Sequence, residues 1–118
     1  MYDPSTQSVM DLEKDLIAFC REAAEAGKNW AEAKSTFEQL KDLKDVVFAQ
    51  NFPEEGTQGE KTNAAKKSEE YRMHIEGMAV AREEMLKFYV KYESANAKFE
   101  AIRTIISNRR EQMKKGIE

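Results

Sequence analysis

The 118-residue chain holds one cysteine, Cys20, and one histidine, His74. A lone cysteine excludes an internal disulfide, and the two residues together are too few for a cysteine–histidine zinc site. Two prolines and five glycines are all the turn-forming residues of that kind. A β-sandwich or a doubly wound α/β domain needs far more punctuation, so neither is expected. No stretch approaches the roughly 18–20 apolar residues of a membrane span, and no membrane partner is expected. The opening Met1-Tyr2-Asp3-Pro4-Ser5 lacks the basic head and apolar core of a secretory signal, so a cytoplasmic location is expected. Acids outnumber bases 22 to 19, a net charge of −3, which gives no overall attraction to nucleic acid.

What remains is rich in helix formers, with 35% charged and 41% apolar residues. Alternating steps of three and four from Val9 reach Leu12, Leu16, Phe19, Ala23, Ala26, Trp30, Ala33, Phe37, Leu40, Lys44 and Val47. Only Lys44 is polar, which is the seam of a coiled-coil-like helix. The same walk from Tyr71 reaches Met78, Ala81, Met85, Phe88, Tyr92, Ala95, Phe99, Ile102, Ile106 and Met113, with His74 and Arg109 as its polar departures.

The segment between the two runs carries a proline and two glycines and has no apolar period. These features predict a single 1–118 helical domain: a helix over about 5–50, a loop over 51–67, and a helix from about Ser68 to 115 that Gly116 ends. Gly27 and the following Asn29 leave a break near 27 open, but the seam keeps phase from Ala26 to Trp30, which favours one continuous or mildly kinked helix. The fold class is all-α, a long antiparallel helical hairpin. A register in which paired numbers sum to 118 sets Leu12 against Ile106, Leu16 against Ile102, Phe37 against Ala81, Trp30 against Phe88 and Lys44 against His74.

Apolar residues also lie off the seam. Met10, Ile17, Ala24 and Ala31 recur every seven residues beside the first seam, and Ala79, Leu86, Val90, Ala97 and Ile105 flank the second. A two-helix hairpin leaves such strips in water, so self-association is expected through Met10, Ile17, Ala24, Ala31, Leu86, Val90 and Ile105. A dimer would complete a four-helix bundle, and a higher oligomer an extended variant of one.

No constellation carries catalysis. Gly56 to Thr62 superficially resembles a phosphate-binding loop, but Glu55 and Glu60 occupy its two glycine positions and no strand precedes it. His74 shares a helical face with Glu70, without the repeated Glu-x-x-His pairs of a di-metal bundle. Cys20 is far from His74 and, next to Phe19, is expected to be buried and inert. An enzyme is not expected, nor a cofactor or metal.

Charge is unevenly distributed. Through Gly27 six acids face Lys14 and Arg21, whereas from Lys98 onward six bases face three acids. In a hairpin these ends lie side by side and neutralise one another. The alternative makes Arg103, Arg109, Arg110, Lys114 and Lys115 a phosphate-contacting patch for nucleic acid. That reading is the less favoured, because no aromatic residues interleave there for base stacking.

Three stretches occur together: Trp30-Ala31-Glu32-Ala33-Lys34 leading into Phe37-Glu38-Gln39-Leu40-Lys41; His74-Ile75-Glu76-Gly77-Met78 with Ala81-Arg82; and Phe99-Glu100-Ala101-Ile102-Arg103-Thr104 with Arg109-Arg110. The combination resembles a family of small all-helical tailed-phage and prophage proteins. That resemblance implies a phage accessory protein made in the host cytoplasm, near genes of DNA replication or recombination. The expected function is a non-enzymatic oligomeric helical module that binds a protein partner, with inhibition of a host factor as an alternative. The resemblance carries over no catalytic residues.

Overall fold

The computed structural model describes residues 3–116. Three helices follow in order: α1 (Val9–Gln50), α2 (Gln58–Lys67) and α3 (Glu69–Lys114), with no strand among the described residues. The fold is an all-helical hairpin.

α1 begins at Val9 rather than near residue 5 because Ser8 caps it, its hydroxyl accepting from the Asp11 N–H at 3.2 Å. The residues ahead of it form a turn, in which the Asp3 carboxylate accepts from the Ser5 N–H at 3.0 Å and the Gln7 N–H donates to the Pro4 carbonyl at 3.2 Å. Hydrogen bonds from Ser5, side chain first and backbone second, hold the Asp3 carboxyl below the usual carboxylate range. α1 passes through Gly27 without interruption. It closes at Asn51, whose side-chain amide donates back to the Val47 carbonyl at 2.9 Å, just ahead of Pro53.

The expected loop over 51–67 is corrected: its second half is the ten-residue helix α2. Capping, not an apolar period, makes that helix. The Thr57 hydroxyl accepts from the Glu60 N–H at 3.2 Å. Glu60 sits in the first turn, and Lys66 and Lys67 in the last, where the helix dipole favours each sign. Its one buried side chain is Ala65, at 0% exposure. Ser68 then serves two helices: its hydroxyl donates to the Ala65 carbonyl at 2.7 Å and accepts from the Tyr71 N–H at 3.3 Å. α3 ends where expected, at Gly116, whose φ of 70° is left-handed and whose N–H donates to the Met113 carbonyl at 3.1 Å.

The chain divides into two compact units, Met1–Asn29 with Phe88–Glu118, and Trp30–Lys87. In the first unit α1 and α3 run antiparallel. Glu22 pairs with Lys98, Glu13 with Arg110, and Gly27 lies against the Tyr92 ring. Leu12, Ile102 and Ile106 form its core, with Val9, Leu16, Phe19 and Ile105 packed around them. Leu12 shares this cluster with Ile106, its partner in the register that sums to 118. Full burial of a leucine or isoleucine contributes about 1.5–3 kcal/mol, so this cluster is the main apolar anchor of the unit.

The second unit is held by aromatic and polar contacts. Phe48 meets the Tyr71 ring edge-on at 5.6 Å and lies 5.8 Å from Phe52, over which Lys61 is placed at 5.8 Å. The His74 Nε2 lies 2.6 Å from the Leu40 carbonyl oxygen. A carbonyl only accepts, so Nε2 carries the proton. His74 therefore bonds one turn away from Lys44, the partner that the simple register predicts.

Every α1 seam position from Val9 to Val47 is buried or half-buried, Lys44 included, and so is every α3 seam position from Tyr71 to Arg109. Met113 is the exception at 56% exposed.

Candidate functional site

Three sets of surface residues emerge from these helices: an apolar flank, a basic end and a pair of grooves. Met10, Ile17, Ala24 and Ala31 point off the α1 seam and are exposed, as are Leu86 and Val90 on α3. Ile105 differs from them, being half-buried against the Leu12, Ile102 and Ile106 cluster. Leu43, Val46, Met73 and Val80 add exposed apolar surface, between 48% and 65%, that the seven-residue recurrence does not pick out. Among the described residues only six are buried, all apolar. The helices therefore present much of their apolar content to water.

The basic end is brought together on α3, but most of its charges already have partners. Arg109 is half-buried on the seam, and its guanidinium donates to the carbonyls of Pro4 and Ser5 at 2.9 Å each and to that of Gln7. It pegs the segment ahead of α1. Arg110 pairs with Glu13 across the helices, Arg103 with Glu100 at 3.5 Å, and Lys115 with Glu111 at 3.8 Å. Apart from Arg109, these are exposed pairs that contribute about 0–1 kcal/mol each. Of these, only Arg110 with Glu13 crosses between the helices, as the opposed charge distribution of the two ends predicts; the other two match charge within and just beyond the end of α3.

Two grooves flank the first unit. One, of about 300 Å³, is floored by Leu16 and Ile106 and edged by Arg103, Ser107, Arg110, Glu111 and Lys114. The other, of about 510 Å³, is lined mainly by apolar surface: Ala26 and Ala95 at its base, with Phe88 and Val90 beside them. Glu22, Glu25 and Lys91 charge its rim. The sequence reading missed this second groove. Its signal is a run of small residues at facing positions, Ala23, Ala26 and Gly27 on α1 and Ala95 on α3, which thins the seam there. Gly27 is needed for that close approach: a Cβ on it would stand 3.1 Å from the Tyr92 ring.

Cys20 corrects another expectation, since it is exposed. One step past Phe19 rotates a side chain by about 100°, which carries it off the seam. Trp30 is half-buried, with the Lys34 ammonium 5.5 Å from its ring centre. Tyr89 donates to the Glu93 carboxylate at 2.5 Å, and that hydrogen bond raises the phenol above its usual range. Among the described residues, no group of three or more His, Cys, Asp or Glu could hold a metal ion. Among the described residues, no helix is long and apolar enough to cross a membrane. In comparisons with known proteins, no family model matches the chain, and no curated protein or solved structure matches it.

Proposed function

We propose that this chain is a non-enzymatic, oligomeric helical module that acts by binding protein, itself included. The observation that supports it is the exposure of large apolar side chains on both long helices, from 37% at Ile75 to 68% at Met10, beside a very small buried core. Leaving a leucine-sized side chain in water forgoes about 1.5–3 kcal/mol, and a protein partner is what covers such strips. The resemblance to small helical tailed-phage proteins supports an accessory role in phage DNA replication or recombination, in the host cytoplasm. Sequestering a host factor is a variant of the same reading, for which the acidic first half of α1 is suited.

Nucleic-acid binding through Arg103, Arg109, Arg110, Lys114 and Lys115 is the second reading. Carbonyls or carboxylates already engage four of those five side chains, so it ranks below the first.

The test is a tagged pull-down from host or infected lysate, with and without nuclease, using the wild type and an Ile17→Gln/Val90→Gln variant. A nuclease-resistant partner that the variant loses is the expected result. Recovery that vanishes with nuclease transfers the function to the basic end. A wild type that captures nothing and sediments as a monomer overturns the module reading.

A further inference from the structure

We infer that α1 pairs antiparallel with α1 of a second copy, through a charged ridge on the side of the helix turned away from its seam. The inference rests on the self-associating module proposed above and names the surface that it uses.

A second three–four repeat on α1 sets the ridge. Alternating steps of four and three from Met10 end at Ala49, and each of the twelve positions reached is exposed. Met10, Ile17, Ala24 and Ala31, the apolar flank already described, lie on it. Lys14, Arg21 and Lys28 stand between them, one every seven residues, with no acid among the first seven positions. The last five positions hold Glu38, Asp42 and Asp45 and no base. α1 passes through both stretches as one helix. The three bases belong to the first compact unit and the three acids to the second.

None of these six side chains is engaged within the chain. Among the described residues no ion pair or side-chain hydrogen bond involves any of them. The carboxylates on α3 differ, since Lys87 takes Glu83 and Arg103 takes Glu100. An exposed charge needs no partner in water, so it is the sorting that points to one. A solvated helix face mixes signs every turn, whereas this one runs basic and then acidic between apolar side chains left in water.

The occupant that matches this order is the same helix reversed. In the register of full overlap, paired numbers sum to 59: Lys14 meets Asp45, Arg21 meets Glu38, Ala24 meets Ser35 and Met10 meets Ala49. On the flanks, Glu25 and Glu32 line one side of the ridge and Lys34 and Lys41 the other, so they leave its balance unchanged. Whenever one copy's residue meets a second residue, that second residue meets the first in return, and each charge pair is made twice. The contact is therefore a closed two-fold. A phosphate backbone or an anionic membrane would attract the basic half and repel the acidic one. A parallel pairing would set like charge on like.

Charge reversal tests this. Sedimentation velocity follows the wild type, Lys14→Glu/Arg21→Glu, Glu38→Lys/Asp45→Lys, and the chain with all four substitutions. All four residues are exposed and unpaired, so the helix should be retained, which circular dichroism checks. The wild type should sediment as a dimer of its 13.6 kDa chain that does not grow with concentration. It should shift toward monomer as salt rises to about 1 M, where the screening length is about 3 Å. Each two-site reversal alone should dimerise at least about tenfold more weakly. Their equimolar mixture should recover the dimer, and so should the fourfold reversal by itself, because opposite charges face one another again.

Assembly that ignores both salt and the reversals overturns the α1 contact and leaves self-association to the apolar flank of α3. Reversals that weaken assembly with no recovery in the mixture or in the fourfold variant overturn it as well, as does growth beyond a dimer. A wild type that is monomeric throughout removes the contact together with self-association, and the pull-down then decides whether a different protein is the partner.

Discussion

Two glycines lie inside the long helices, and the same substitution is expected to act oppositely on them. In a helix interior glycine is about 0.5–1 kcal/mol less favourable than alanine. At Gly77 a new Cβ meets nothing within 4 Å, so Gly77→Ala should realise that gain in full. At about 4 °C per kcal/mol for a chain of this size, Tm should rise by about 2–4 °C. At Gly27 the Cβ would stand 3.1 Å and 3.2 Å from the Cε1 and Cδ1 of Tyr92. Ordinary contact needs several tenths of an ångström more, and overpacking costs about 1–3 kcal/mol. The half-buried Tyr92 ring yields part of that, so Gly27→Ala should be neutral to about 2 kcal/mol destabilising. Thermal and urea melts followed by far-UV circular dichroism read both variants. A third arm isolates the cause: in a Tyr92→Leu background the Gly27→Ala substitution should recover most of the alanine gain, a coupling of about 1 kcal/mol or more. Equal stabilisation by the two glycine substitutions would refute the close approach at Gly27, and with it the thin seam beside the groove based on Ala26 and Ala95.

Leu12→Ala removes the fully buried side chain at the centre of the first unit's core and should cost about 2–5 kcal/mol in a urea melt; less than about 1 kcal/mol would mean that Leu12 is not packed. Thr57→Ala should cost about 1 kcal/mol and raise amide exchange across Gln58–Lys67 alone, because α2 depends on that cap. Arg109→Met keeps the aliphatic stem but releases the carbonyls of Pro4, Ser5 and Gln7. Faster exchange and proteolysis before residue 9 should follow, and unchanged protection there would contradict the peg.

The sequence-to-structure match is uneven for identifiable reasons. The two seams were legible because a three–four repeat repeated over six turns or more leaves only one helical face to bury, and even the polar members Lys44, His74 and Arg109 are half-buried where the repeat places them. α2 was not legible. Its ten residues bury a single alanine, so it has no apolar signature, and its start depends on one side-chain cap. Cys20 was misread because nearness to Phe19 along the chain is not nearness on the helix surface. The role of Arg109 was hidden for a different reason: its partners are backbone carbonyls, which any residues at 4, 5 and 7 would present. Of the candidate surface, the apolar flank at Met10, Ile17, Leu86 and Val90 could be read from spacing. The grooves could not, since they arise from small residues facing one another across two helices.

One polar seam residue sets the register. An apolar seam built on a seven-residue repeat tolerates a slip of one repeat, because most of its contacts are re-formed with different partners. The bond from His74 to the Leu40 carbonyl tolerates it too, since a helix presents another carbonyl at every residue. Arg109 does not. It sits half-buried with its N–H groups committed to the Pro4, Ser5 and Gln7 carbonyls, which lie ahead of α1 and do not recur along it. A slip by one heptad moves the guanidinium about 10 Å from them and forfeits those bonds, at about 1–3 kcal/mol. The register shapes the surface as well, because the groove of about 300 Å³ combines Leu16 from α1 with residues of α3 between 103 and 114. A register that slid by a heptad would replace its floor and break the pairing of Arg110 with Glu13.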